Sequence, residues 1–325
     1  MPKITMVEAI AMAHGWEMQH DANVVVIGQD VGANGGVFRA TAGLQERFGR
    51  ERVQDTPLAE ATIAGMSIGM ATHGLKPVAE IQFMGFLYPA LDQIVNHMSR
   101  MRNRTRGRLS CPVVMRMPHG GGIHAPEHHS ESTETLLCHI PGIRVVCPSS
   151  PVRAYGLLLA AIRDPDPVMF LEPVRLYRAM RQEVNDDGQA LPLDVCFVLR
   201  EGSDVTIVTW GAMTMETLRA AVELDKRRIS AEVIDLATLS PIDIETILAS
   251  VAKTGRLVIV HEAARNVGVG AEIAALVAEH SLYDLLAPIR RVTGFDTIMP
   301  LFKLEHDYIP SVQRIIDAVE LAFAD

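Results

Sequence analysis

Apolar runs of strand length alternate with segments of helical period along almost the whole chain. NVVVIG (23–28), PVAEIQF (77–83), PVVMRM (112–117), IRVVCP (143–148) and PVMFLEP (167–173) are near-continuous apolar stretches flanked by Gly, Pro or polar residues. Such runs predict strands buried on both faces. Between them, ATIAGMSIGMATHG (61–74) and SPVRAYGLLLAAIRD (150–164) read as helices, the latter with Pro151 at the first helical position. In FLYPALDQIVNHMSRMRNR (86–104), Leu87, Leu91, Ile94, Met98 and Met101 fall on one helical face. Strands separated by helices predict a parallel sheet covered on both sides.

The alternation breaks at RQEVNDDGQALPLDVCFVLREG, which is polar, turn-rich and without sustained period. It then resumes in DVTIVTWG, METLRAAVELDKR, SAEVIDL, IDIETILASVAKT, GRLVIVHEA, VGAEIAALVAEH and SVQRIIDAVELAFA. The pattern predicts an α/β protein with two parallel-sheet domains, residues 1–181 and 203–325, joined by a linker over 182–202.

Composition narrows the partners. The 325 residues are 48% hydrophobic with mean hydropathy +0.17, which fits two packed cores. No apolar run approaches the ~20 residues that a bilayer span requires, so no membrane partner is expected. The opening MPKITMVEAIAMAHGWEMQ reads as an amphipathic helix with polar positions throughout and no cleavage-site pattern. A net charge of −9 opposes nucleic-acid binding, which needs clustered cations. The cysteines at 111, 138, 147 and 196 form no C-x-x-C pair, as expected of free thiols in a reducing cytoplasm.

Candidate chemistry concentrates in MPHGGGIHAPEHHSES (117–132), where His119, His124, His128 and His129 share a segment too broken for a helix. HGGG (119–122) matches a lipase-type oxyanion loop, and GMSIG (65–69) fits G-x-S-x-G. However, Ser67 lies in a helical run instead of a strand-to-helix turn, and the oxyanion loop follows the serine where hydrolases place it before. The four histidines also match no zinc-ligand spacing. A polar surface loop and an acid/base loop both remain. RMRNRTRGR (100–108) reads as a solvated, cationic helix end.

DTPLAEA (55–61) reads as a helix start, with Asp55 or Thr56 as N-cap, Pro57 at the first position and Glu60 in the first turn. Thr56 plus three is Ala59, so the capping box misses Glu60 by one residue. An acid among alanines without that capping role is expected to be held away from water, which suits proton exchange with a ring nitrogen. The chain carries no G-x-G-x-x-G fingerprint, no P-loop lysine and no GDG followed by a distant asparagine.

The ordered series GQDVGANGGVFRAT (28–41), RVQDTPLAEATIAGMSIGMA (52–71), EIQFMGFLYPALDQI (80–94), HHSES (128–132), PGIRVVCPSSPVRAYGLLLAAIRD (141–164), VMFLEPVRLYR (168–178) and AEVIDLATLSPIDIETI with KTGRLVIVHEA (231–263) resembles one family across essentially the whole chain. That family is the β subunit of the thiamine-diphosphate-dependent first component of 2-oxo acid dehydrogenase complexes. The resemblance implies a transketolase-like fold, with a thiamine pyrimidine-binding domain followed by a transketolase C-terminal domain.

The resemblance also implies site roles. Glu60 falls where the family's glutamate hydrogen-bonds the aminopyrimidine. Leu58 and Gln82, through their backbone, and the ring of Phe86 fall where relatives contact or stack on that ring. His129 matches the histidine thought to assist acyl transfer to a lipoyl arm, with His119, His124 and His128 lining or orienting the loop. Val113, Ala161, Asp164 and Asp166 match a structural potassium site, with Asp166 standing where others use asparagine. Phe86 replaces a common tyrosine, Glu131 a frequent glutamine, and Gln29 a frequent glutamate.

The absent GDG fits an α subunit that binds the diphosphate through Mg2+. The expected working unit is an α2β2 heterotetramer that passes an acyl group to a lipoyl acyltransferase core in the cytoplasm. Pyruvate is the expected substrate, with branched-chain 2-oxo acids as the alternative.

Overall fold

The computed structural model describes residues 3–324. The apolar runs form parallel strands at nearly the predicted places. β1 (Val24–Gly28), β2 (Val53–Asp55), β3 (Lys76–Glu80), β4 (Val114–His119), β5 (Arg144–Val146) and β6 (Val168–Pro173) lie in the order β5-β6-β4-β3-β1-β2, every pair parallel. Every residue of β1, β4 and β6 is buried, as a strand covered on both faces requires. The three-residue β2 was not anticipated, because so short a strand has no readable period.

These strands belong to one of two compact units, Met1–His119 with Leu136–Leu193. Its helix α1 (Met6–His20) starts with a capping box: Glu8 N donates to Thr5 Oγ1 at 3.4 Å and Thr5 N to Glu8 Oε2 at 2.7 Å. Helix α2 (Glu60–Thr72) connects β2 to β3, and α3 (Pro151–Arg163) begins at the expected proline, with Ser150 accepting from Arg153 N.

The expected single helix over 86–104 is broken into shorter turns. A 3-10 turn at Tyr88–Ala90 carries Pro89, and a π turn spans Ile94–Met98, closed by Ser99 N donating to Ile94 O. A short α turn, Met101–Arg104, follows. The inward positions survive this rewinding: Leu87, Ile94 and Met98 are buried, and Leu91 and Met101 half-buried.

The second unit is Gly120–Thr135 with Asp194–Asp325. β7 (Phe197–Arg200), β8 (Val205–Thr209), β9 (Ala231–Asp235), β10 (Leu257–Val260) and β11 (Arg290–Val292) are ordered β11-β10-β8-β9-β7. All are parallel except the edge strand β7, which runs antiparallel to β9. Helices α4 (Met213–Lys226), α5 (Ile244–Thr254), α6 (Val269–His280) and α7 (Val312–Ala324) accompany them. Val205, Ile207, Val258 and Val260 pack with Ala220, Leu224, Ile315 and Val319 in one core.

Two segments depart from the sequence expectation. The stretch 182–202 is structured at both ends. Gln182–Glu183 pairs antiparallel with Lys3–Ile4, and β7 extends the second sheet. The histidine loop falls with the second unit although its sequence neighbours on both sides fall with the first. Among the described residues no helix is long and apolar enough to cross a membrane.

Candidate active site

The register of the first sheet brings Gly28, Asp55 and Glu80 side by side at the carboxyl ends of β1, β2 and β3. In open α/β sheets, ligands bind outside these ends. Leu58 and Glu60 follow β2, and Gln82 and Phe86 follow β3, so all four reach the same end of one sheet.

Glu60 is itself the first residue of α2, with Ala59 as an N-cap that makes no side-chain hydrogen bond. The expected caps are engaged elsewhere. Asp55 Oδ1 accepts from Gly32 N at 2.6 Å, and Thr56 N donates to Gly28 O at 2.9 Å. Consequently Pro57 lies before the helix, not at its first position. Glu60 is half-buried rather than sealed from water, and its Oε1 accepts from the buried Gln29 Nε2 at 3.3 Å. The sequence reading missed that contact, since nothing local links residues 29 and 60.

The surroundings suit a flat heteroaromatic ring. Leu58 is 80% exposed, an apolar side chain projecting beside a carboxylate. The buried Thr56 Oγ1 has no hydrogen-bond partner. Phe86 is half-buried and meets Phe83 edge-on at 5.9 Å, and Phe83 in turn meets Phe38 at 5.4 Å. Gln82 is half-buried.

A buried ionic group anchors this end of the sheet. Arg116, 1% exposed, binds Glu172 through two nitrogens at 2.7 and 2.8 Å and Glu80 at 2.8 Å. Burial pushes the Glu80 carboxyl up, opposed by the Arg116 guanidinium. Tyr177 donates its hydroxyl to Glu172, and burial beside that carboxylate pushes its pKa well up.

In the second unit, three histidines of the loop turn to three different partners. His124 Nδ1 lies 2.7 Å from Glu305 Oε2 and His128 Nδ1 3.8 Å from Glu131 Oε1. His129, half-buried on a 3-10 turn (Glu127–Ser130), places Nδ1 3.1 Å from Pro126 O. In the first unit, His119 sits buried at the end of β4 with Nε2 3.2 Å from Cys147 Sγ. Among the described residues no group of three or more His, Cys, Asp and Glu side chains could hold a metal ion. Glu131, whose charge departs from the frequent glutamine, faces His128.

The hydrolase motifs resolve structurally. Ser67 is buried mid-helix in α2 and donates to Ile63 O at 2.8 Å, so it is a packing residue. The last two glycines of HGGG donate their amides to carboxylates. Gly121 N binds Glu262 Oε1 at 2.8 Å, and Gly122 N binds Glu305 Oε1 at 2.5 Å. Those two glutamates were missed by sequence reading, because their targets are backbone amides more than a hundred residues away.

Around the four positions of the expected potassium site, Val168 N donates to Val113 O, Cys111 N to Pro165 O and Asp164 N to Ala161 O. Asp164 pairs with Arg144 at 3.2 Å and Asp166 with Arg102 at 2.7 Å, so each of the two carboxylates has a guanidinium partner.

Comparisons with known proteins bear on the fold and the family. The family "Transketolase, pyrimidine binding domain" matches residues 2–180, and "Transketolase, C-terminal domain" matches residues 196–315. The pyruvate dehydrogenase E1 component subunit beta of Bacillus subtilis is 49% identical over 98% of each chain. That of Acholeplasma laidlawii is 50% identical over 97% of this chain and 96% of its own. A solved split-gene transketolase, described as an inactive β4 tetramer, superposes with a TM-score of 0.79 at 25% identity over 99% of each chain. The fold is transketolase-like, and the chain belongs to the family of pyruvate dehydrogenase E1 component β subunits.

Proposed function

We propose that this chain is the β subunit of a thiamine-diphosphate-dependent pyruvate dehydrogenase, working with an α subunit in an α2β2 assembly. The carrying observation is Glu60: a carboxylate at a helix N-terminus, hydrogen-bonded by the side-chain amide of Gln29, at the sheet end that also presents Leu58, Gln82 and Phe86. When bound, the cofactor supplies a carbanion that adds to a 2-oxo acid and releases carbon dioxide.

This chain's own residues act on the cofactor's aminopyrimidine end. Glu60 Oε1 or Oε2 holds or shares a proton at the ring nitrogen, and the Gln29 amide orients it. Phe86 offers a stacking face, and the backbone at Leu58 and Gln82 offers edge contacts. The unpartnered Thr56 hydroxyl adds a donor beside them. The α subunit holds the diphosphate and its Mg2+, in keeping with the absence of any phosphate-binding motif here.

His129 serves as proton donor or acceptor while the acyl group passes to the lipoyl arm of an acyltransferase core in the cytoplasm. Pyruvate is favoured over branched-chain acids by the high identity to β subunits named for pyruvate dehydrogenase. One methylene in an apolar pocket discriminates by only ~1–3 kcal/mol, so pocket residues alone do not decide the matter.

The test is reconstitution with a cognate α subunit. Glu60→Gln is expected to lower decarboxylation by about a hundredfold or more, the range for a positioned acid/base group. Normal decarboxylation by that variant refutes the assignment. His129→Ala is expected to spare decarboxylation with an artificial electron acceptor and to stop acylation of a lipoyl domain; equal loss in both refutes the role given to His129.

A further inference from the structure

The histidine loop is held by two buried carboxylates that the proposed chemistry does not use. Glu262 lies two residues beyond β10 and is 6% exposed; Glu305 opens a short helix (Glu305–Tyr308) and is 1% exposed. Glu262 Oε1 accepts from Gly121 N at 2.8 Å and from Ser132 Oγ at 2.9 Å, joining the two feet of the loop. Glu305 takes the ascending limb. Its Oε1 accepts from Gly122 N at 2.5 Å, and its Oε2 accepts from His124 N at 3.2 Å and lies 2.7 Å from His124 Nδ1. Gly120 N donating to Glu131 O at 2.8 Å closes the base.

The glycines exist for this approach. Gly120 has φ +86°, and a Cβ there would lie 2.4 Å from Glu262 Oε1. Gly122 has φ +93°, and His124 carries a left-handed φ of +60°. Such backbone persists only where its surroundings hold it.

We propose that Glu262 and Glu305 are positioning residues for acyl transfer: they clamp the loop from Gly120 to Ser132 and so fix the turn that carries His129. This rests on the reading of His129 as the acyl-transfer group. A buried carboxylate that accepts several N–H and O–H groups costs little to bury and locks its donors in one geometry. His129 sits between the clamped feet, on a turn tied by Ser130 Oγ donating to Ala125 O at 2.6 Å. Loosening either foot lets the imidazole wander by distances that cost up to about a hundredfold in rate.

The experiment uses the α2β2 assembly with Glu262→Leu, Glu262→Gln, Glu305→Leu and the milder Ser132→Ala. Hydrogen–deuterium exchange is measured over residues 120–133, alongside lipoyl-domain acylation and decarboxylation with an artificial electron acceptor. The leucine variants are expected to speed exchange in the loop and slow acylation, each about tenfold or more, while decarboxylation stays within about twofold. Glu262→Gln keeps the accepting Oε1 and is expected to restore both properties. If the leucine variants fail to assemble, Ser132→Ala is expected to show the same split at smaller size.

Unchanged exchange in the loop overturns the clamp, as does parallel loss of both reactions. His129→Ala, run beside them, separates the two ideas. If it acylates normally while the leucine variants still loosen the loop, the role of His129 is wrong and the clamp stands as structure only.

Discussion

Glu134→Gln should stabilise the protein increasingly as pH rises above 4.5, with the full gain reached above about 7. Glu134 is 1% exposed at the start of a short helix (Glu134–Cys138). Its Oε1 accepts from Trp210 Nε1 at 3.3 Å, and its Oε2 has no hydrogen-bond partner. Burial, with Glu262 adding like-charge repulsion, pushes its pKa from the ordinary 4.5 up to about 7. The folded chain therefore holds a proton there that the unfolded chain releases between those two values. Its contribution is fully present below pH 4.5 and lost as pH rises through 7. A rise of that size corresponds to about 3 kcal/mol once the group is ionised.

Glutamine keeps the Trp210 acceptor and carries no charge, so it escapes the loss. Urea unfolding of the variant and its parent, followed by Trp210 fluorescence in a Trp16→Phe background, is the assay. The expected gain is near zero at pH 4.5 and about 3 kcal/mol at pH 8.5. A gain equal at both pH values, or a loss at pH 8.5, refutes the buried-acid reasoning.

Acid should act on the opposite charge type. Burial lowers the pKa of His119 and of His261 to about 4 and that of His14 well below its usual value. The stability they confer is present above pH 6.5 and lost as pH falls through about 4, with a slope of up to about 1.4 kcal/mol per pH unit for each. Thermal midpoints between pH 6.5 and 4 should show that slope, and His119→Asn should remove roughly one proton of it. Arg116→Met leaves Glu80 and Glu172 buried without their partner, and the urea midpoint should report a loss of about 3–5 kcal/mol. Adding Glu80→Leu and Glu172→Leu should recover most of it. Burial pushes the Cys111 thiol up to about 12 and that of Cys196 higher still, so both should react with a thiol reagent only as fast as the chain opens. Thr5→Ala breaks a capping box and should cost about 1 kcal/mol.

The elements that sequence located well are those whose physics is local. β1, β4 and β6 are continuous apolar runs, and α3 announces itself with Ser150 and Pro151. Where distant partners set the geometry, local reading slipped. Thr56 looks like a cap, yet its backbone is drawn into a bond with Gly28 and the helix starts four residues later. The stretch around Leu91 reads as one helix because its inward positions recur correctly, while Pro89 and a π turn rewind the backbone without moving those side chains off the core. The roles proposed for Glu60 and His129 come from the family's ordered motifs, not from their neighbours. The contacts of Gln29 in the first unit, and of Glu262 and Glu305 in the second, came only with the fold, since hydrogen bonds spanning 31, 141 and 183 residues leave no periodic trace.

The chain buries carboxylates in three ways, and the way chosen indicates the task. Glu80 and Glu172 meet a guanidinium, which neutralises them and holds β3, β4 and β6 in register at the sheet end that carries Glu60's loop. Glu262 and Glu305 meet backbone amides and a hydroxyl, which fixes the shape of a glycine-rich loop. Glu134 meets one indole N–H and keeps its remaining oxygen unpaired, so the proton itself becomes its partner near neutrality. Glu60 follows none of these. It is half-buried, with a single neutral amide at 3.3 Å and no cation in hydrogen-bond reach among the described contacts. A carboxylate built only for stability would be expected to have a stronger partner; one kept for a ligand must be held in place without being satisfied. That difference in partners, more than burial, separates the proposed catalytic acid from the structural ones.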